Sequence, residues 1–311
     1  AEPTDGLLSS SAPELAALLQ NHLDPTLDPS VAVRAAIGHH YASLFVLDTS
    51  WAQQHASQIF PAEDTALREA AWGAYVIYTR PYDELLTALG DIYVRSAELA
   101  GEPGHGFRWD EAPQAHLGEH LASFYWRAKV ALDDELFTTY WENAASDIHR
   151  HVIDFVGRSV GELPELEADV RERLLGFWDF ARDRAVASGT VDELAPLAWW
   201  MRSEALPAQW RLGSLSDLLD LGVKPDPLFA VIESLPSLAR EEPTRSVEVL
   251  RRILEAERTE WSYDLWDEQT FEVLRVAMTS GNIEAYERAV DTTHWLGSLG
   301  YRQYRELLRQ A

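Results

Sequence analysis

The sequence predicts an all-α fold: a right-handed array of antiparallel helix pairs, a HEAT-like α-solenoid of about sixteen helices. Three observations carry this prediction. Apolar residues recur at helical spacing along nearly the whole chain, and strand-like alternation is almost absent. Prolines stand where helices should begin and glycines where they should end. In the second half these marks recur at close to the roughly 40-residue period of stacked helix pairs.

The first half reads as helices over about 13–24, 30–47, 50–59, 63–79, 82–100, 113–131, 135–142 and 145–160. Pro13, Pro81 and Pro113 mark starts, because a proline in the first helical turn gives up no hydrogen bond. Gly101-Glu102-Pro103-Gly104-His105-Gly106-Phe107-Arg108-Trp109 interrupts the pattern. Three glycines and a proline in so short a stretch predict a loop or joint. The expected organisation is an N-terminal helical subdomain over 1–100, a joint over 101–112 and the array over 113–311.

In the second half, Leu166, Val170, Leu174, Phe177 and Ala181 make one apolar stripe, with Glu165, Glu167, Arg171, Glu172 and Arg173 between them. Val247, Leu250 and Leu254 make another, and Phe271, Leu274 and Met278 a third. Helix pairs are expected to start at Pro164, Pro207, Pro243 and Asn282, spaced by 43, 36 and 39 residues. Pro227 should open a second helix within its pair, and Gly161, Gly189, Gly222, Gly281 and Gly300 are expected C-terminal caps.

Composition excludes several function classes. The chain has 311 residues with 46% hydrophobic side chains, enough for a packed core. Its 51 acidic residues face 26 basic ones, a net charge of −25 that disfavours nucleic acid as a partner. Lys129 and Lys224 are the only lysines. The acidity reads as a solvated surface before it reads as a patch for a basic partner. No cysteine is present, so disulfides and thiol-based metal or redox chemistry are out. No run is apolar enough to span a membrane, and Ala1-Glu2-Pro3-Thr4-Asp5 lacks the features of a signal peptide. The expectation is a cytoplasmic region excised from a longer protein, with no membrane partner.

Catalytic motifs fail one by one. Neither lysine follows a glycine, so there is no P-loop. Gly104-His105-Gly106 opens like a dinucleotide fingerprint but has Trp109 where the third glycine belongs. Asp133-Asp134-Glu135-Leu136-Phe137 begins like an aspartate-rich Mg²⁺ motif, yet Phe137 replaces the last aspartate. Asp133 and Asp134 read better as the capped start of a helix. His116-Leu117-Gly118-Glu119-His120 fits the H-x-x-E-H pattern of inverted zinc proteases, with both histidines one helical turn apart. The simpler reading is two histidines on a polar helix face, with Leu117, Leu121 and Phe124 on the apolar one. No catalytic residue, metal ligand or cofactor is assigned.

The twelve tryptophans are the unusual feature. Trp199 and Trp200 are adjacent and point about 100° apart on a helix, so both cannot face the same core. Most tryptophans should fill layers between helices. Those left on a surface, flanked by Arg202 and Arg211, would be binding anchors. Trp199, Trp200, Arg202 and Trp210 are the candidate partner-binding residues; Trp261, Trp266 and Trp295 follow in the same half.

From about His116 onward, several runs carry a family resemblance. These are Phe124-Tyr125-Trp126-Arg127, His151-Val152-Ile153-Asp154-Phe155-Val156-Gly157-Arg158, Gly176-Phe177-Trp178-Asp179-Phe180-Ala181-Arg182 and Ala198-Trp199-Trp200-Met201. Together they resemble the helical C-terminal regions of large bacterial STAND-type NTPases and related phage-defence proteins. The resemblance implies a sensor or scaffold that binds a protein, here without the NTPase and effector modules. The leading expectation is a non-catalytic protein-interaction module of a bacterial defence-type protein. The alternative is an all-α enzyme such as an (α/α)-barrel glycosidase-like hydrolase, with tryptophans as stacking platforms and a carboxylate pair as acid and base.

Overall fold

The computed structural model describes residues 6–102, 112–161, 163–256 and 266–310. Helix makes up 76% of the described residues, more than twice the share in an average globular protein, and no strand occurs among them. The fold is all-α. It divides into two compact units, residues 1–152 and 153–311.

The first unit runs through α1 (Leu7–Ser11), α2 (Pro13–Leu23), α3 (Val31–His39), α4 (Tyr41–Leu47), α5 (Thr49–Ile59) and α6 (Thr65–Tyr78). It continues with α7 (Asp83–Ala88), α8 (Gly90–Glu98), α9 (Pro113–Trp126) and α10 (Glu135–Asn143). The division falls inside α11 (Ser146–Gly161). The joint expected at 101–112 lies within the first unit, because α8 packs on α9 and α10, which follow that stretch. Residues 103–111, including Gly104-His105-Gly106 and Trp109, lie outside the described residues.

Local chemistry explains where these helices start. Ser30, Asp48 and Asp64 are N-caps whose side chains accept from the amides of Val33, Trp51 and Leu67. Two long helices read from the sequence are each broken in two. The stretch 30–47 divides at His40 and the stretch 82–100 at Leu89. Near-zero ψ at both residues ends one helix and opens the next without a proline. The helix read as 113–131 stops at Trp126: Ala128 turns to φ 59°, and the amide of Lys129 closes on the Phe124 carbonyl. Asp134 occupies the N-cap of α10, but its carboxylate accepts from the Ala131 amide (2.6 Å), not from the helix.

Aromatic rings fill the core of this unit, with Tyr41, Phe60, Trp72, Tyr75, Tyr93 and Phe124 buried against one another. Gly38 lets α3 lie directly on α6, where a Cβ would stand 2.2 Å from the Ala71 carbonyl oxygen. Arg34, on α3, is 1% exposed and donates to the carbonyls of Gln58, His22 and Leu23. Its guanidinium thus sits at the C-terminal ends of both α2 and α5, where carbonyls lack helical partners and the helix dipole is negative. Those three carbonyls, with the charges of Asp64 and Asp28 nearby, are what the buried guanidinium answers to.

The second unit contains α12 (Ala168–Ser188), a 3-10 turn (Val191–Leu194), α13 (Leu197–Trp200), α14 (Ala208–Asp220), α15 (Leu228–Glu241) and α16 (Pro243–Ala256). After residues 257–265, which include Trp261 and lie outside the described residues, come α17 (Asp267–Thr279), α18 (Ile283–Ser298), a second 3-10 turn (Arg302–Glu306) and α19 (Leu307–Gln310). Pro207 and Pro227 are N-caps and Pro243 opens α16, as their positions predict. Pro164 does not start a helix: α12 begins at Ala168 behind an extended stretch. Gly189 caps α12 with φ 76°, and Gly222, Gly281 and Gly300 take positive φ after their own helices. Gly161 is instead the last residue of α11 and serves packing, described below. Sequence neighbours pack on one another here, α15 on α16 and α17, α16 on α18, and α17 on α18.

Candidate functional site

The divergence of Trp199 and Trp200 is decided by a notch in α11. Gly157 and Gly161 sit one turn apart on that helix, and α13 lies against them. A Cβ at Gly157 would stand 2.5 Å from Trp200 Cδ1 and 3.0 Å from Trp199 Cβ; one at Gly161 would stand 3.4 Å from the Trp199 carbonyl oxygen. Trp200 enters the notch and is 0% exposed. Its indole N–H donates to the Ile153 carbonyl (3.1 Å), and its ring packs with Phe177, Trp178 and Trp210 at centroid distances of 6.3, 6.0 and 5.9 Å. Trp210 is half-buried against this cluster, edge-on to Trp178. Gly157→Ala should therefore cost about 1–3 kcal/mol through overpacking, measured by urea unfolding. A loss below a few tenths would mean the notch yields freely.

Trp199 leaves α13 on the other side and is half-buried. The Arg158 guanidinium lies 4.7 Å from its ring centroid and the exposed Arg202 guanidinium 5.8 Å. Phe229, the second residue of α15 and 46% exposed, meets Trp199 edge-on at 5.7 Å. Arg158 bonds Asp154 on its own helix (2.7 Å), and Arg202 has no acidic partner among the described residues. Each guanidinium–indole contact at such an exposed position is worth about 0.5–1 kcal/mol.

The four candidate residues thus fall on two sides. Trp199 and Arg202 share a surface, whereas Trp200 is enclosed and Trp210 leans on the same buried cluster as Trp200. Arg211, once a candidate flank, is 3% exposed and donates to the Met201 carbonyl (3.0 Å). Sequence reasoning missed Arg158 and Phe229. They stand 41 residues before and 30 after Trp199, and no local spacing joins them to it.

The H-x-x-E-H stretch on α9 resolves into two environments. His116 Nδ1–H and His151 Nε2–H both donate to Glu119, at 3.0 and 2.7 Å, tying α9 to α11 within the first unit. Burial pushes the Glu119 carboxyl up, but the bonds from His116 and His151 outweigh it and bring it down to about 2. His120 points the other way and is 3% exposed. Its Nε2–H donates to the Thr79 carbonyl and its Nδ1 accepts from the Tyr93 hydroxyl, both at 2.8 Å, with the Tyr75 hydroxyl 3.2 Å behind. Both ring nitrogens are thereby engaged, and His116 and His120 do not converge on one point. Among the described residues no three His, Asp or Glu side chains are arranged to hold a metal ion.

Burial holds His120 down at about 4, against the hydrogen bond to Thr79 that favours its charged form. The unfolded chain therefore takes up this proton at higher pH than the folded one. Its stabilising share is present in full above about pH 6.5 and is lost as pH falls toward about 4. Glu119 acts in the same direction lower down, between its unfolded value and about pH 2. Urea midpoints should fall across pH 6.5 to 4 in the wild type and flatten there in His120→Gln, which cannot titrate. An equal slope in both proteins would contradict the assignment.

A second concave feature lies wholly in the second unit. A groove of about 950 Å³ runs between Glu233 and Pro236 of α15, Asp267, Glu268 and Glu272 of α17, and Glu306. Glu272 is held below the usual carboxylate range by hydrogen bonds from Arg275, and Arg240 adds to this. That is opposite to a general acid, whose carboxyl has to be pushed up.

No known protein family, characterised protein or solved structure matches the chain.

Proposed function

We propose that this chain is a non-catalytic, HEAT-like helical interaction module that binds a protein partner through the face around Trp199. The observation that carries the reading is Trp199 itself: a large apolar ring left partly exposed, braced by Arg158 and Arg202 and flanked by the exposed Phe229. Tryptophan and arginine are the residue types that dominate binding energy at protein interfaces. A ring pre-set between two guanidinium groups gives up little freedom when it docks. Helices close in sequence pack on one another from α15 to α18, which is what stacked helix pairs require, and such arrays present extended surfaces to partners. With the resemblance of the region after His116, this supports a sensor or scaffold role inside a larger bacterial defence-type protein in the cytoplasm. No described helix is long and apolar enough to cross a membrane.

The glycosidase-like alternative looks to the acidic groove. Glu272 is unsuited to be its proton donor, because its arginine contacts favour the ionised carboxylate. The interaction reading is tested by placing a photo-crosslinking amino acid at position 229 in cells. A discrete protein adduct that is lost in Trp199→Ala is the expected result. No adduct, or one indifferent to Trp199, contradicts it.

A further inference from the structure

We infer that the occupant of the Trp199 face is a short acidic segment of a protein partner, with an apolar side chain on Trp199 and Phe229 and carboxylates reaching Arg158 and Arg202. This rests on the reading of that face as a docking surface and adds the chemistry of what docks. The chain is strongly anionic, with 51 acidic residues against 26 basic ones, so two guanidinium groups within 6 Å of one half-buried indole, with only Asp154 bonded to either of them among the described residues, stand out against that charge. Several other arginines of this unit are spent within the chain. Arg173, Arg182, Arg251, Arg252, Arg275 and Arg288 each hold a carboxylate nearby. Arg202 holds none among the described residues, and its N–H groups are committed only to the ring it stacks beside. Arg158 already grips Asp154 through Nε and Nη2 (2.7 and 3.3 Å) and offers a partner only its Nη1 side, so Arg202 is the main anchor for a carboxylate. A planar guanidinium stacked on an indole still presents its edge, the geometry that grips a carboxylate through two parallel bonds. The apolar floor of Trp199 and Phe229 lies beside those edges and suits an aliphatic or aromatic residue between acidic neighbours. A long polyanion would meet the field of the whole chain, whereas a segment with a few carboxylates meets mainly the two arginines.

The test pans random peptides displayed on phage against the full chain, Trp199→Ala and the double variant R158Q/R202Q. All three are first shown by melting curves to be folded at the panning temperature. The expected result is enrichment of peptides with acidic residues flanking an apolar one. Binding should fall at least about tenfold in both variants and weaken as salt is raised. Peptides that need Trp199 but show no acidic excess, and bind the double variant equally, overturn the charge assignment and leave the docking reading standing. Absence of any Trp199-dependent peptide overturns the docking reading itself. Trp199-dependent binding of a single-stranded DNA probe in place of peptides overturns the assignment to a protein segment.

Discussion

Trp200→Ala lowers the unfolding free energy by about 3–5 kcal/mol, the range for removing a large buried aromatic side chain. The side chain is fully enclosed and fills the space between Gly157 of α11 and the rings of Phe177, Trp178 and Trp210. Its removal leaves a cavity walled by rigid rings and helix backbone, which cannot collapse to refill it. The Ile153 carbonyl also loses the indole donor, though its place in α11 limits that part. Trp200→Phe should recover most of the packing but not the hydrogen bond, and should fall between the two. Urea unfolding followed by circular dichroism reads the difference directly. A loss below about 1 kcal/mol would show the cluster to be loosely packed.

Arg34→Met is expected to cost about 3 kcal/mol in the first unit, although methionine fills much of the same volume. The loss comes from the carbonyls of Gln58, His22 and Leu23, which lose their buried donor at two helix C-termini. The dipole ends of α2 and α5 also lose the cation that faces them. Arg34→Lys keeps the charge but has no planar fork to serve carbonyls on two helices, so it should recover only part. Equal stability of wild type and Arg34→Met in thermal unfolding would mean that the carbonyls find other partners.

Much of the fold was legible because its punctuation is local. Pro207, Pro227, Pro243 and Asn282 mark helix starts by the backbone chemistry of their own first turns, and Gly189 and Gly222 mark ends in the same way. The breaks at His40 and Leu89 were not legible, because tertiary packing sets them and the residue types there would tolerate a continuous helix. Pro236 stands inside α15, and the helix runs on past it. Arg34 gave no sign of burial, since an arginine on an amphipathic helix reads as surface. At the candidate site, sequence geometry predicted that Trp199 and Trp200 diverge but not which of them turns inward. That choice belongs to the notch at Gly157, 43 residues before Trp200, and contacts of such separation leave no local signal.

The separation of roles between the two adjacent tryptophans is the centre of this account, and calorimetric titration of a display-selected acidic peptide tests it most directly. Wild type and Trp199→Ala are compared after melting curves show that both are folded. The account predicts an affinity about thirtyfold weaker in Trp199→Ala, equivalent to about 2 kcal/mol, with a stability loss of no more than about 1.5 kcal/mol for a half-buried ring. Unchanged affinity, or an affinity lost only in step with the fold, would contradict it.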